Sequence, residues 1–298
     1  MSRLSQARQA VRPALQARMM LSGPPGSGKT RSSLIIASVL ADGGPILGID
    51  TEKESMLSYA EDFSFDHLPW MPPFSPAELI EALADAGPKY PVIIVDSLTH
   101  FWRGDGGVLS IANGRFTGWK EARPMQESLV EAILTCPAHV ILGVRAKMAF
   151  TQEQESNGKQ VVRKLGMEAQ QDGDLEYELN VAVDMAMDHT ATISKSRTTA
   201  LPVGRTFKGS QVEDMARIYK EWLAAGEPPA KKADTEAIRK RVSALPERLR
   251  KECQQAFVAE LGKVDQLRAS QIDDAHALIA RYEAQTDPDG APFEEGAA

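Results

Sequence analysis

Cysteine is nearly absent from this 298-residue sequence: Cys136 and Cys253 stand far apart, with no C-x-x-C pair. That excludes a disulfide framework and a zinc ribbon, and suits two small hydrophobes in a reducing compartment. No apolar run approaches the roughly 18 residues of a membrane span, and no secretory h-region is apparent, so a cytoplasmic protein (bacterial or phage-infected host cytosol) without membrane partners is expected. Basic residues are the minority, 34 against 41 acidic, for a net charge of −7. A globally basic nucleic-acid binder is therefore excluded; a local basic patch is not. The histidines, His67, His100, His139, His189 and His276, show no metal-ligand spacing, and no Ser-His-Asp or paired-carboxylate arrangement stands out. The remainder is ordinary for a folded chain, 43% hydrophobic and 25% charged, with length for about two domains of roughly 150 residues.

Apolar runs alternate with amphipathic stretches from about residue 18 to residue 225. Met19 to Leu21, Pro45 to Asp50, Val92 to Asp96 and Val140 to Val144 read as strands. Residues 29–41, 76–86 and 121–135 read as helices, with Pro76 suited to a first turn. Tyr177 to Met187 and Thr190 to Ser196 are weaker strand candidates. Such alternation predicts an α/β layered domain with a mostly parallel sheet. Residues 1–17 form a basic N-terminal segment, expected as a short helix rather than a transit peptide; residues 1–18 carry Arg3, Arg8, Arg12 and Arg18 and no acid. Residues 226–233 read as a linker, 234–285 as a small helical module and 286–298 as a disordered acidic tail. Residues 230–251 hold eight basic and three acidic residues, and 252–298 three basic and ten acidic. This is either a solvated helix surface or a DNA-contacting face followed by a competing tail.

Gly23-Pro24-Pro25-Gly26-Ser27-Gly28-Lys29-Thr30 fits G-x-x-x-x-G-K-[ST] between a predicted strand and a predicted helix. Glycines let successive N–H groups point at one anion, and the helix that follows adds its positive end. Lys29 is expected to reach the β- and γ-phosphates of ATP, and the Thr30 hydroxyl to ligate Mg²⁺. Val92-Ile93-Ile94-Val95-Asp96 delivers a carboxylate at a strand's C-terminal end, where Asp96 would hold the same metal.

Ile49-Asp50-Thr51-Glu52 resembles the strand-end acid motif of RecA-like recombinases, and Asp96-Ser97 the metal strand of that family. Ser194-Lys195-Ser196-Arg197 resembles its K-x-[KR] element. The resemblance covers residues 18–225, and the stretch from Gly173 to Arg197 is similar to compact phage RecA-like ATPases associated with single-strand annealing. It implies a RecA-like P-loop core, Glu52 as the base that polarises water, and Lys195 and Arg197 as cations offered to a neighbour's γ-phosphate in a ring or filament. Glu52 could equally be a surface acid near Glu54, and Lys195 and Arg197 could face solvent on an edge strand. Where the family ends its fourth core strand in a polar residue, often Gln, this sequence has Arg145, expected here as the phosphate sensor.

The resemblance also implies two DNA-facing loops, about 102–120 and 147–170. The first offers Arg103, Arg115 and Lys120 with Trp102, Phe116 and Trp119; the second offers Lys147, Lys159, Arg163 and Lys164 with Phe150. Basic residues interleaved with aromatics suit single-stranded DNA, although Trp and Phe more often pack inside. The implied function is a DNA-stimulated Mg-ATPase of phage or mobile-element recombination, working with an annealing or single-strand-binding protein. A nucleotide-dependent protein switch, loader or scaffold, and a small-molecule kinase, stay open.

Overall fold

Val92-Ile93-Ile94-Val95 is apolar at four successive positions because the strand it forms is buried on both faces. In the computed structural model, which describes residues 10–154 and 160–286, this strand is β4 (Val92–Asp96) of a nine-stranded sheet. The other strands are β1 (Arg18–Gly23), β2 (Ile46–Asp50), β3 (Asp66–Pro69), β5 (His139–Gln154), β6 (Gln160–Ala169), β7 (Val181–Met185), β8 (Thr190–Ser196) and β9 (Thr206–Lys208). Their order is β3-β2-β4-β5-β1-β7-β8-β9, with β6 paired to β5 alone. The first six in that order run parallel, and β8 and β9 return antiparallel. The α/β class with a mostly parallel sheet is therefore observed, and the C-terminal ends of β1, β2 and β4 lie along one edge beside Gly143 to Arg145 of β5.

Helices cover the sheet with their apolar side chains. In α1 (Lys29–Ala41) the buried side chains include Leu34, Ile36, Ala37 and Leu40. In α2 (Pro76–Ala86) the Ser75 hydroxyl accepts from the Glu78 N–H at 3.4 Å, and Pro76 opens the first turn. Strands β1 and β4 are separated by β5, so Gly143 lies in register with Leu21 on one side and Asp96 on the other.

Four expectations need correction. Residues 102–120 are not an open loop: α3 (Thr99–Arg103), α4 (Val108–Ala112) and a 3₁₀ turn lead into α5 (Trp119–Thr135), and Val108, Ala112 and Ala122 pack together under Trp102. Residues 146–154 and 160–169 are likewise the two strands of a β-hairpin, because β5 runs on past Val144 and pairs antiparallel with β6. Tyr177 belongs to a short helix, α6 (Leu175–Glu178), and the strand begins at Val181. Residues 10–17 form no helix, and Arg18 is not a surface cation. Its buried guanidinium donates to the carbonyls of Ala17 and Ala138 at 2.7 Å and to those of Leu134 and Cys136, which satisfies a charge that burial would otherwise penalise. The helix α7 (Gln211–Ala224) went unpredicted, although Val212, Met215, Ala216, Tyr219 and Leu223 have helical spacing.

The unit Gln16–Leu223 holds the sheet and α1 to α7, except the last residue of α7. A second unit comprises, among described residues, 10–15 and 224–286. Its core is Ile238, Val242, Leu249, Cys253, Phe257, Leu278 and Ile279, from α8 (Lys232–Ala244), α9 (Glu247–Glu260) and α10 (Ile272–Glu283). The stretch 226–233 is tied down: Glu227 bridges to Pro13, Pro229 bridges to Arg268, and α8 has begun by Lys232. Residues 287–298, most of the expected tail, lie outside the described residues. Among described residues no helix is long and apolar enough to cross a membrane.

Candidate functional site

The loop Gly23–Thr30 leaves β1 and enters α1 through two glycines at positive φ, Gly26 at 80° and Gly28 at 87°. A side chain at Gly23 would place Cβ 2.6 Å from the Met185 carbonyl and from Ser27 Oγ. The glycine spacing is therefore a steric requirement of this curl. Lys29 is half-buried and donates from Nζ to the carbonyls of Gly23 at 3.0 Å and Pro24 at 2.9 Å. Burial holds its pKa below the ordinary lysine value despite Asp96 and Glu52 nearby. Ser27 Oγ is fully buried with no hydrogen-bond partner.

Asp96, at the C-terminal end of β4, accepts from the Thr30 hydroxyl at 2.5 Å. Burial pushes the Asp96 carboxyl up to about 6, with the Thr30 hydrogen bond opposing it. The two residues expected to hold magnesium thus touch each other across the loop. An orphaned hydroxyl, a glycine curl that a Cβ would fill, a lysine bound only to carbonyls and a Thr–Asp pair fit a polyphosphate with Mg²⁺. Among the described residues, no cluster of three or more His, Cys, Asp or Glu could hold a metal without a ligand's oxygens.

Glu52 follows β2 by two residues and turns toward the same edge. Arg145, on β5, grips it with two hydrogen bonds, Nε to Oε1 at 2.7 Å and Nη2 to Oε2 at 2.5 Å. Burial alone would raise the Glu52 carboxyl; the Arg145 bonds and charge, with His100 and Lys29, outweigh it and hold the carboxyl below its usual range. Beneath the pair, Thr51 Oγ1 accepts from the Ser97 N–H at 2.7 Å and contacts His100 Nδ1 at 2.6 Å. The His100 ring stacks on Phe74 with centroids 4.8 Å apart. Asp50 accepts from the backbone N–H groups of Glu52 at 2.7 Å and Met56 at 2.9 Å, which fixes the turn that carries Glu52. Arg145 is anchored in turn, its N–H donating to Thr99 Oγ1 at 2.9 Å. A cleft of about 430 Å³ opens beside the loop, lined by Gly26, Lys29, Thr30, Tyr59 and His189 among others.

Lys29, Thr30, Asp96, Glu52 and Arg145 are therefore assembled at one edge. Lys195 and Arg197 are not among them. Because β8 runs against β7, Ser196 pairs with Val181, at the opposite end of the sheet from the loop. Lys195 donates to the carbonyls of Tyr177 and Leu179, and Arg197 to that of Tyr177. Of the candidate DNA contacts, Arg103, Arg115, Lys120 and Lys147 are exposed. Lys159 and the side chains of Arg163, Lys164 and Phe150 lie outside the described residues. In the C-terminal stretch, Arg239, Arg241, Arg248 and Lys251 each pair with a carboxylate, as a solvated helix surface would.

Sequence reasoning missed Gly143, Thr51 and the role of His100. A Cβ at Gly143 would lie 2.4 Å from Asp96 Oδ1, so the glycine makes room for the buried carboxylate. A glycine inside the apolar run Val140 to Val144 was the available signal.

Residues 15–212 match the family model AAA_24, described as an AAA domain. Among solved structures, a KaiC-like protein from the hyperthermophilic archaeon Pyrococcus horikoshii OT3 is similar at 15% identity, over 66% of this chain and 83% of that one, with a TM-score of 0.38. No curated protein matches the sequence.

Proposed function

Since the chain belongs to the AAA_24 family of AAA domains, we propose that it is a RecA-like Mg-ATPase that binds single-stranded DNA. Its task would be phage or mobile-element recombination, beside an annealing or single-strand-binding protein. The observation that carries the ATPase is the 2.5 Å bond from Thr30 to Asp96, which ties the phosphate loop to the metal strand within reach of Glu52. When bound, Mg²⁺ neutralises charge on the terminal phosphates; Thr30 and Asp96 would hold it. Lys29 exchanges its two carbonyl partners for phosphate oxygens. The sugar and base would lie in the cleft by Tyr59 and His189. Arg145 exchanges Glu52 for the γ-phosphate, and the freed Glu52 takes the proton of the attacking water at a carboxylate oxygen. Lys195 and Arg197 are too far from their own loop for this step, so they would act on a neighbouring copy in a homo-oligomer.

Support for DNA is the exposed set Arg103, Arg115, Lys120 and Lys147, the last lying two residues beyond Arg145 where β5 enters the hairpin. The ion pair that occupies Glu52 also favours a second reading, a slow protein-directed switch whose client frees the base. ATP hydrolysis measured with and without single-stranded DNA, at low and moderate salt, separates the two. Stimulation by DNA that Lys29→Ala and Glu52→Gln both abolish supports the first. Lys29-dependent hydrolysis indifferent to DNA refutes it and leaves the switch.

A further inference from the structure

Away from the phosphate loop, a cleft of about 570 Å³ runs between α5 and the segment 172–178. Its aromatic wall is Trp102 and Trp119, whose ring centroids lie 6.1 Å apart at 47°. Its rim carries Glu127, Glu131, Asp172, Asp174 and Glu178 against a single cation, Arg123. Arg123 is already engaged, Nε to Glu127 Oε1 at 3.2 Å. Asp172 accepts from the Asp174 N–H at 3.2 Å, and Arg197 stands 3.9 Å from Glu178. Gln126 also lines the cleft. It is only 5% exposed, and its Oε1 is buried without a hydrogen-bond partner.

An orphaned buried acceptor asks for a donor. The surrounding carboxylates also accept and do not donate. A phosphate brings acceptors and negative charge, so it is the wrong ligand for this face. A cation with several N–H groups is the right one. Guanidinium fits better than ammonium: its plane stacks on indole, its fork matches carboxylates, and it sheds water more readily. The open shape suits a chain lying along the cleft and inserting one side chain.

We propose that this cleft is a docking site for an arginine-bearing segment of a protein partner. The arginine stem lies along Trp102 and Trp119, the guanidinium donates to Gln126 Oε1, and Glu131 and Asp174 hold the remaining charge. Trp102 and Trp119 then serve protein recognition and do not stack on DNA bases.

The test titrates the full chain with a synthetic peptide of alternating arginine and glycine, following tryptophan fluorescence. The lysine counterpart, spermidine and a single-stranded oligonucleotide are run beside it. The double variant Glu131→Gln/Asp174→Asn changes exposed side chains only, and its thermal midpoint confirms folding. The arginine peptide should bind the wild type and bind the double variant about tenfold more weakly, the loss expected for removing charge-assisted bonds. Equal affinity for both proteins overturns the proposal, as does equal binding of lysine peptide or spermidine. Competition by the oligonucleotide for the same quenching also overturns it.

Discussion

At Gly143 the sheet leaves no room for a side chain, and Gly143→Ala converts that into a measurable loss. The residue sits between Asp96 of β4 and Leu21 of β1. An added Cβ would lie 2.4 Å from Asp96 Oδ1 and 3.0 Å from its Cγ. Comfortable contact needs about 3.5 Å, so the carboxylate must shift by about 1 Å. It has no free space, being buried and bonded to Thr30 at 2.5 Å. Overpacking of this kind costs about 1–3 kcal/mol, and a 1 Å misplacement at a reacting centre costs about a hundredfold in rate. Steady-state hydrolysis at saturating Mg-ATP should therefore fall by about two orders of magnitude. Binding of a fluorescent nucleotide should change only a few-fold, because the loop from Gly23 to Lys29 is untouched. A folded Gly143→Ala protein with a turnover number within a factor of two of the wild type would refute the role given to Asp96.

Two further outcomes are expected. Gly28→Ala forces a side chain to a φ of 87° with Cβ 3.0 Å from His189 Nδ1; a left-handed residue costs about 1–2 kcal/mol, so nucleotide affinity should fall about tenfold in a direct titration, and unchanged affinity would show that the curl is not needed for binding. His139 accepts from the Ala17 N–H at 2.8 Å, and burial, with the charges of Arg18 and Lys220, pushes its pKa down to about 4. The unfolded chain takes up this proton near pH 6.5 and the folded one only near 4, so stability is full above that window and falls as the pH drops through it, by roughly 3 kcal/mol in all. Thermal midpoints across pH 4 to 7 should flatten in His139→Asn, which keeps an acceptor but cannot titrate; parallel curves would contradict the assignment.

What the sequence disclosed were the features written in local residue order. The phosphate loop is local because its curl is set by Gly23, Gly26 and Gly28 and completed by the next two residues. Strand β4 is local because burial on both faces requires an unbroken apolar run. The pairing of Glu52 with Arg145 spans 93 residues and depends on β4 lying between β2 and β5. No periodicity encodes that order. The hairpin was hidden for another reason: β5 does not stop where its apolar run stops. Past Arg145 the strand leaves β1 and pairs with β6 alone, and charged and polar residues interrupt its apolar run, so a pattern tuned to buried strands ends it too soon.

The face bearing Trp102 and Trp119 shows how a reading along the chain can invert the sign of a surface. Within 102–120, Arg103, Arg115 and Lys120 accompany the tryptophans, and the segment read alone is basic and aromatic. The fold turns Arg103, Arg115 and Lys120 to solvent, outside the cleft, and brings Glu127 and Glu131 from α5 and Asp172, Asp174 and Glu178 from beyond β6 around the two rings. Those acids stand from eight to 59 positions beyond Trp119 in the chain, too far for composition within a loop to register. A charged surface attracts by the groups that share it in space, and at this face they are carboxylates. Basic residues and aromatics that alternate in sequence therefore need not form one binding surface: here the cations are free to meet phosphate, while the rings face a cleft suited to a cation.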